Sequence, residues 1–201
     1  MKKRFFIACA CMLSAALSMA QDADSLQVKQ VHHLDFFGIP MELPLQQFSD
    51  SLVAKGMERD TVKNGIAIFE NFSYAGHDSC RVQLEVNGDV VHSASILLPV
   101  AGSWEALEQD YGKIKQDLTA TFGRPESVQE MFFATPDTVN LQDNAAKFSE
   151  VLAGRSKYHT LFLTDEGRIF VTILKYREKG ENLCRVIVKY MDYENFKKQK
   201  R

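Results

Sequence analysis

Apolar residues recur along this chain with two different periods, and the places where the period changes mark its elements. Leu45, Phe48 and Leu52 stand three and four apart, which predicts a helix over 43–55. Gly56 ends it in the left-handed conformation and Met57 follows where a capping apolar contact belongs, while "GIP" (38–40) supplies a proline-restricted entry after a short strand. The period then falls to two over 66–74, 80–86 and 90–98, which predicts three strands. In the middle one Cys80, Val82, Leu84 and Val86 alternate with Arg81, Gln83 and Glu85, giving one buried face and one wet face. Asn87-Gly88 between apolar runs predicts a type I′ hairpin turn, with positive φ at both positions.

A helical period returns with Trp104, Leu107, Tyr111, Ile114 and Leu118, capped by Ser103, favoured by Glu105 and Glu108 at its positive end, and stopped by "FGRP" (122–125). A strand over 127–133, the loop "ATPDTVNLQD" and a short helix carrying Phe148, Val151 and Leu152 up to Gly154 follow. Three more strands are predicted at 158–164, 168–176 and 183–191, the last with Cys184, Val186, Val188 and Tyr190 against Arg185, Ile187 and Lys189. "CRVQLEV" and "CRVIVKY" thus share one plan, which suggests a helix plus three-stranded meander used twice, at about 34–98 and 141–191. The expected class is α+β: antiparallel sheet of about six to seven strands, in one sheet or two, packed by two main helices within a single compact domain over 21–201.

Composition adds the compartment. Met1 to Ala20 carries Lys2, Lys3 and Arg4, then an apolar run to Met19, then small residues at Ser18 and Ala20, the order of a secretory signal. The run is shorter than the roughly 20 residues of a spanning helix and no second one follows, so no integral membrane segment is expected after cleavage. Cleavage removes those three cations, lowering 24 basic residues to 21 against 26 acidic ones, a net of −5. That balance argues against a nucleic-acid partner. A periplasmic or secreted location is expected.

Candidate chemistry is sparse. Cys80 and Cys184 start strands in the inward phase of an exported chain, so they are either a disulfide joining the two meanders or two buried free thiols. None of His32, His33, His77, His92 and His159 is paired at a metal-ligating spacing, and adjacent His32 and His33 on extended chain point apart, even with Asp35 nearby. "GHDS" (76–79) holds His, Asp and Ser in sequence, yet three consecutive residues cannot line up as nucleophile, base and orienting carboxylate. No GxSxG, phosphate-cradling glycine loop or HExxH occurs, so no catalytic, metal or cofactor-binding residue is assigned and no cofactor is expected.

The segments "FFGIP", "LQQF", "CRVQLEV" and "FGRP", spread over Phe36 to Pro125, resemble a group of small exported proteins of gut and oral Gram-negative bacteria to which no function is assigned. The helix-then-meander plan is similar in outline to the β-lactamase inhibitor protein architecture. The first resemblance implies a fold family and the second only an architecture.

Three readings follow. The leading one is a non-catalytic binding or interaction module of the cell envelope, its partner an envelope or extracellular protein or a glycan. The others are a proteinaceous enzyme inhibitor, which would show an exposed aromatic patch on a sheet face, and an enzyme assembled from scattered residues such as His92, His159, Asp165 or Glu70. Phe170 lies opposite Ile169, Val171 and Ile173, and continuous apolar sequence there predicts burial between two layers.

Overall fold

The computed structural model describes residues 32–133 and 140–198. The expected signal segment and part of the loop after 133 lie outside them. The elements run β1 (Asp35–Phe36), β2 (Ile39–Pro40), α1 (Leu45–Ala54), β3 (Glu58–Lys63), β4 (Ile66–Tyr74), β5 (His77–Asn87), β6 (Val90–Leu97), α2 (Trp104–Phe122), β7 (Ser127–Phe132), α3 (Asn144–Ala153), β8 (Ser156–Leu163), β9 (Gly167–Glu178), β10 (Glu181–Asp192) and α4 (Tyr193–Lys198). The fold is α+β, with one eight-stranded antiparallel sheet and the two-stranded β1–β2 hairpin.

The sheet order, β3-β4-β5-β6-β10-β9-β8-β7, consists of two four-stranded meanders whose last strands meet in the middle. Each meander follows a helix, α1 or α2, and α3 is inserted between β7 and β8. The expected unit had three strands and began its second copy at 141. The observed units have four, because β3 and β7 each join a meander and α2 heads the second. All β3 residues are exposed, so "ERDTVK" has no apolar alternation to betray a strand. It is placed by the turn that follows: Asn64 and Gly65 both have positive φ (53° and 75°), the turn type that matches strand twist.

Helix capping follows the sequence closely. The Met57 amide donates to the Leu52 carbonyl and the Gly56 amide to that of Val53, the Schellman pair, with Met57 buried. Ser103 Oγ accepts from the Ala106 amide at the start of α2, whose buried residues are the five of the predicted stripe. At 87–90 the expectation is off by one. Gly88 and Asp89 form the loop, only Gly88 has positive φ, and Asn87 remains in the strand paired with Val90. Type II′, with glycine at the first central position, fits this better than I′.

One face of the sheet is covered. Val82, Leu84, Ala94, Ile96, Val171, Val186 and Val188 project from its central strands into one cluster with Trp104, Leu107, Ile114, Phe48 and Leu52 of the helices. Phe36 of the small hairpin meets Tyr190 edge-on at 5.3 Å and Phe48 at 6.3 Å, so the hairpin roofs the same layer. Buried Asp192 ties the chain ends to it, accepting from the Leu34 and Asn195 amides at 2.8 Å each and lying 3.1 Å from His33. Among the described residues no helix is long and apolar enough to cross a membrane.

Candidate functional site

The opposite face of the sheet carries the other residue of every alternating pair, and the helix residues of the core cluster all pack against the first face. Strand register fixes who meets whom there. Arg81 of β5 pairs with Leu97 of β6, Leu97 with Ile187 of β10, Ile187 with Thr172 of β9, and Thr172 with His159 of β8, giving one row across five strands. The next row is Ile68, Gln83, Ser95, Lys189 and Phe170. These rows, with Arg185, Leu174, Tyr176, Glu178, Glu85 and Met191 at their margins, line a trough of about 650 Å³. A space of that size lies within the roughly 300–1,000 Å³ of small-ligand sites. It straddles the β6–β10 seam.

The floor is apolar, formed chiefly by Ile68, Leu97, Phe170, Leu174, Ile187 and Met191. Two of its cations are neutralised in place. Arg81 lies 2.8 Å from Glu70, and Lys189 donates to Glu85 at 2.7 Å, where Ser93 also donates. Burial pushes the Glu85 carboxyl up, but Lys189 and Ser93 outweigh it and hold its pKa below the usual value. Arg185 differs. It is 7% exposed, its guanidinium lies 4.7 Å from the Tyr176 ring centroid, and Nε and Nη2 both donate to the Tyr176 hydroxyl. No carboxylate among the described residues pairs with it.

Among the sequence candidates, His159 alone lines the trough, its ring 5.4 Å from that of Phe170; burial first, then Lys157, lowers its pKa. Glu70 reaches the rim through Arg81, whereas His92 is buried beside Phe196 and Asp165 is an exposed turn residue. These four therefore do not converge. Phe170 is a correction: it stands half-buried on the trough face, with no second layer over it among the described residues. His77 of "GHDS" is tied to Asp110 of α2 at 2.9 Å and Asp78 accepts from Ser73, so those residues serve structure. Among the described residues no three His, Cys, Asp or Glu are grouped to hold a metal.

The disulfide alternative is corrected as well. Cys80 and Cys184 are buried free thiols on the covered face. Register aligns Arg81 with Leu97 and Leu97 with Ile187, so β6 lies between the two cysteine strands. Two strand spacings are about 10 Å, beyond the roughly 7 Å that a bridge spans. Burial pushes the Cys80 thiol up to about 11 and raises that of Cys184.

Sequence reasoning already placed Arg81, Gln83, Glu85, Arg185, Ile187 and Lys189 on a wet face; it missed that they share one trough. The signal was available in part: Leu97, Phe170, Leu174 and Ile187 are large apolar residues in outward phase. Comparison of the chain with protein-family models, curated proteins and solved structures returns no match.

Proposed function

We propose that this chain is an exported, non-catalytic binding module that holds its ligand in the trough on the uncovered sheet face. The observation that carries the reading is an apolar floor of this size left open, among the described residues, on central strands whose other face is packed under helices. Monomeric proteins rarely leave such a surface uncovered without use. Its three cations are each held by a fixed partner, Arg81 by Glu70, Lys189 by Glu85 and Arg185 by Tyr176, as in sites that orient a ligand, and the scattered acid and base candidates stand apart. Export rests on the order of charged, apolar and small residues over Met1 to Ala20, and it places the ligand in the periplasm or outside the cell.

Capture from envelope extract with the protein and with Ile187→Arg, read by mass spectrometry for proteins, glycans and small molecules, tests this. A component retained by the first and lost by the second supports the reading. Identical profiles from the two overturn it. The inhibitor reading has one observation in its favour, since two aromatic residues of β9, Phe170 and Tyr176, both line the trough, about 20 Å apart along the strand. It predicts that the retained component is an enzyme whose activity falls on binding.

A further inference from the structure

The Arg185 guanidinium has no carboxylate partner among the described residues and sits at the end of an apolar floor. A guanidinium has five N–H donors, and the Tyr176 hydroxyl takes two of them, from Nε and Nη2. The terminal edge, Nη1 with the outer hydrogen of Nη2, is left for another acceptor. The paired bonds from Nε and Nη2 to one hydroxyl fix the plane of the group, so that edge is held in one orientation. A nearly buried cation without a counter-charge is costly, and the usual resolution is a paired anion. The trough's other cations have theirs within the protein: Arg81 has Glu70 and Lys189 has Glu85. Glu178 also lines the trough, outside ion-pairing distance of Arg185.

The apolar floor begins beside this charge. Leu174 is the register partner of Arg185, Ile187 and Leu97 follow in the next row, and Phe170 lies beyond them. From Arg185 to Met191 the strand runs about 20 Å, long enough for a ten-carbon chain to lie extended. Resting on the reading that the trough holds the ligand, we infer that its occupant is a free amphiphilic carboxylate of fatty-acid type. The carboxylate meets the terminal edge of Arg185 in a two-bond fork and the hydrocarbon lies over Leu97, Ile187 and Phe170. The planar fork matches carboxylate geometry, which a point cation would not.

Calorimetric titration with decanoate, decan-1-ol and decyltrimethylammonium, three probes of one chain length, tests the assignment. Decanoate is expected to bind with one site per chain and about tenfold or more tighter than decanol, with the cation weakest. Arg185→Met keeps an unbranched apolar stem and removes the charge and its donors. It should lower decanoate affinity about tenfold or more while leaving decanol within about threefold. Should that variant fail to fold, Arg185→Lys, retaining charge without the fork, should give a partial loss, and the probe order in the unmodified protein decides by itself. Equal binding of decanoate and decanol overturns the assignment and leaves the trough as a binding site. Failure of decanoate to bind overturns it too, and capture that still depends on Ile187 then points to a macromolecular occupant. Sedimentation with phosphatidylglycerol vesicles, without decanoate binding, overturns it in favour of a lipid surface.

Discussion

The two faces of the central strands are written by the same residues taken alternately, and they differ in what covers them. On β10, Cys184, Val186, Val188 and Tyr190 enter a core closed by helices, while Arg185, Ile187, Lys189 and Met191 face a space that nothing in the described chain fills. On β5 the same division separates Val82 and Leu84 from Arg81, Gln83 and Glu85. A face left for solvent alone would be polar throughout. This one is apolar in the middle and charged toward its margins, the pattern of a surface that expects company. The difference teaches that alternation has two meanings in this sheet: the inward phase specifies the fold, and the outward phase is free to specify a ligand.

Substitutions sort by face. Leu84→Ala on the covered side should cost about 2–5 kcal/mol, by lost transfer energy and the cavity left behind. Gln83→Ala, one residue away and outward, should stay within about 0.5 kcal/mol. Urea denaturation of the pair measures both, and equal losses would erase the distinction. Comparable in size is Asp192→Ala. It strands the buried Leu34 and Asn195 amides, and each unsatisfied donor costs about 1–3 kcal/mol. The expected readout is a lower urea midpoint with the end segments exchanging amide hydrogen first, since Asn195 Nδ2 also holds the Met41 and Val91 carbonyls.

A smaller effect follows pH. Burial, with Lys189 adding to it against the opposing charge of Glu85, lowers the pKa of His92 below its ordinary value. The unfolded chain therefore takes up the proton first on acidification. This contribution to stability is fully present above the unfolded pKa of about 6.5 and is lost as pH falls through the folded value. His159 on the open face contributes with the same sign. Thermal melts between pH 8 and 5 should show Tm falling by about 2–4 °C, with a shallower slope for His92→Gln. Glu85 is protonated only below the usual carboxylate range, so the Lys189–Glu85 contact persists through that window. The smallest expected effect is none: reductant should leave Tm unchanged, and both thiols should label only on unfolding. A Tm lowered by reductant would mean that the strands carrying Cys80 and Cys184 pair differently.

What the sequence makes legible divides along the same line. α2 could be read to its five core residues, because its stripe, cap and terminal glycine all agree. β4, β5, β6 and the α3 stop at Gly154 were equally open to reading. β3 was not, since an exposed edge strand buries nothing and so leaves no periodic trace. α4 escaped because six residues are too few for a stripe, and Asp192, its capping group, looks like any strand-end carboxylate. The trough needed more than alternation. Arg81 and Ile187 share a row only because β6 sits between β5 and β10, a pairing between residues 97 and 187 that no local pattern encodes. Nor does alternation distinguish Arg185 from an ordinary outward charge, because its burial depends on Tyr176 of the neighbouring strand.

The meeting of β6 with β10 has a kinetic corollary. Every other neighbouring pair in the large sheet is joined by a short connection or lies within one meander, whereas this seam closes over about ninety residues of chain, so its loop entropy is the greatest obstacle to assembly. Each half can zip up from its own turns, so the topology predicts that docking of the halves is the slow step of folding. An occupant lying across that joint would act as a staple, adding stability in proportion to the logarithm of its concentration and slowing the separation of the halves.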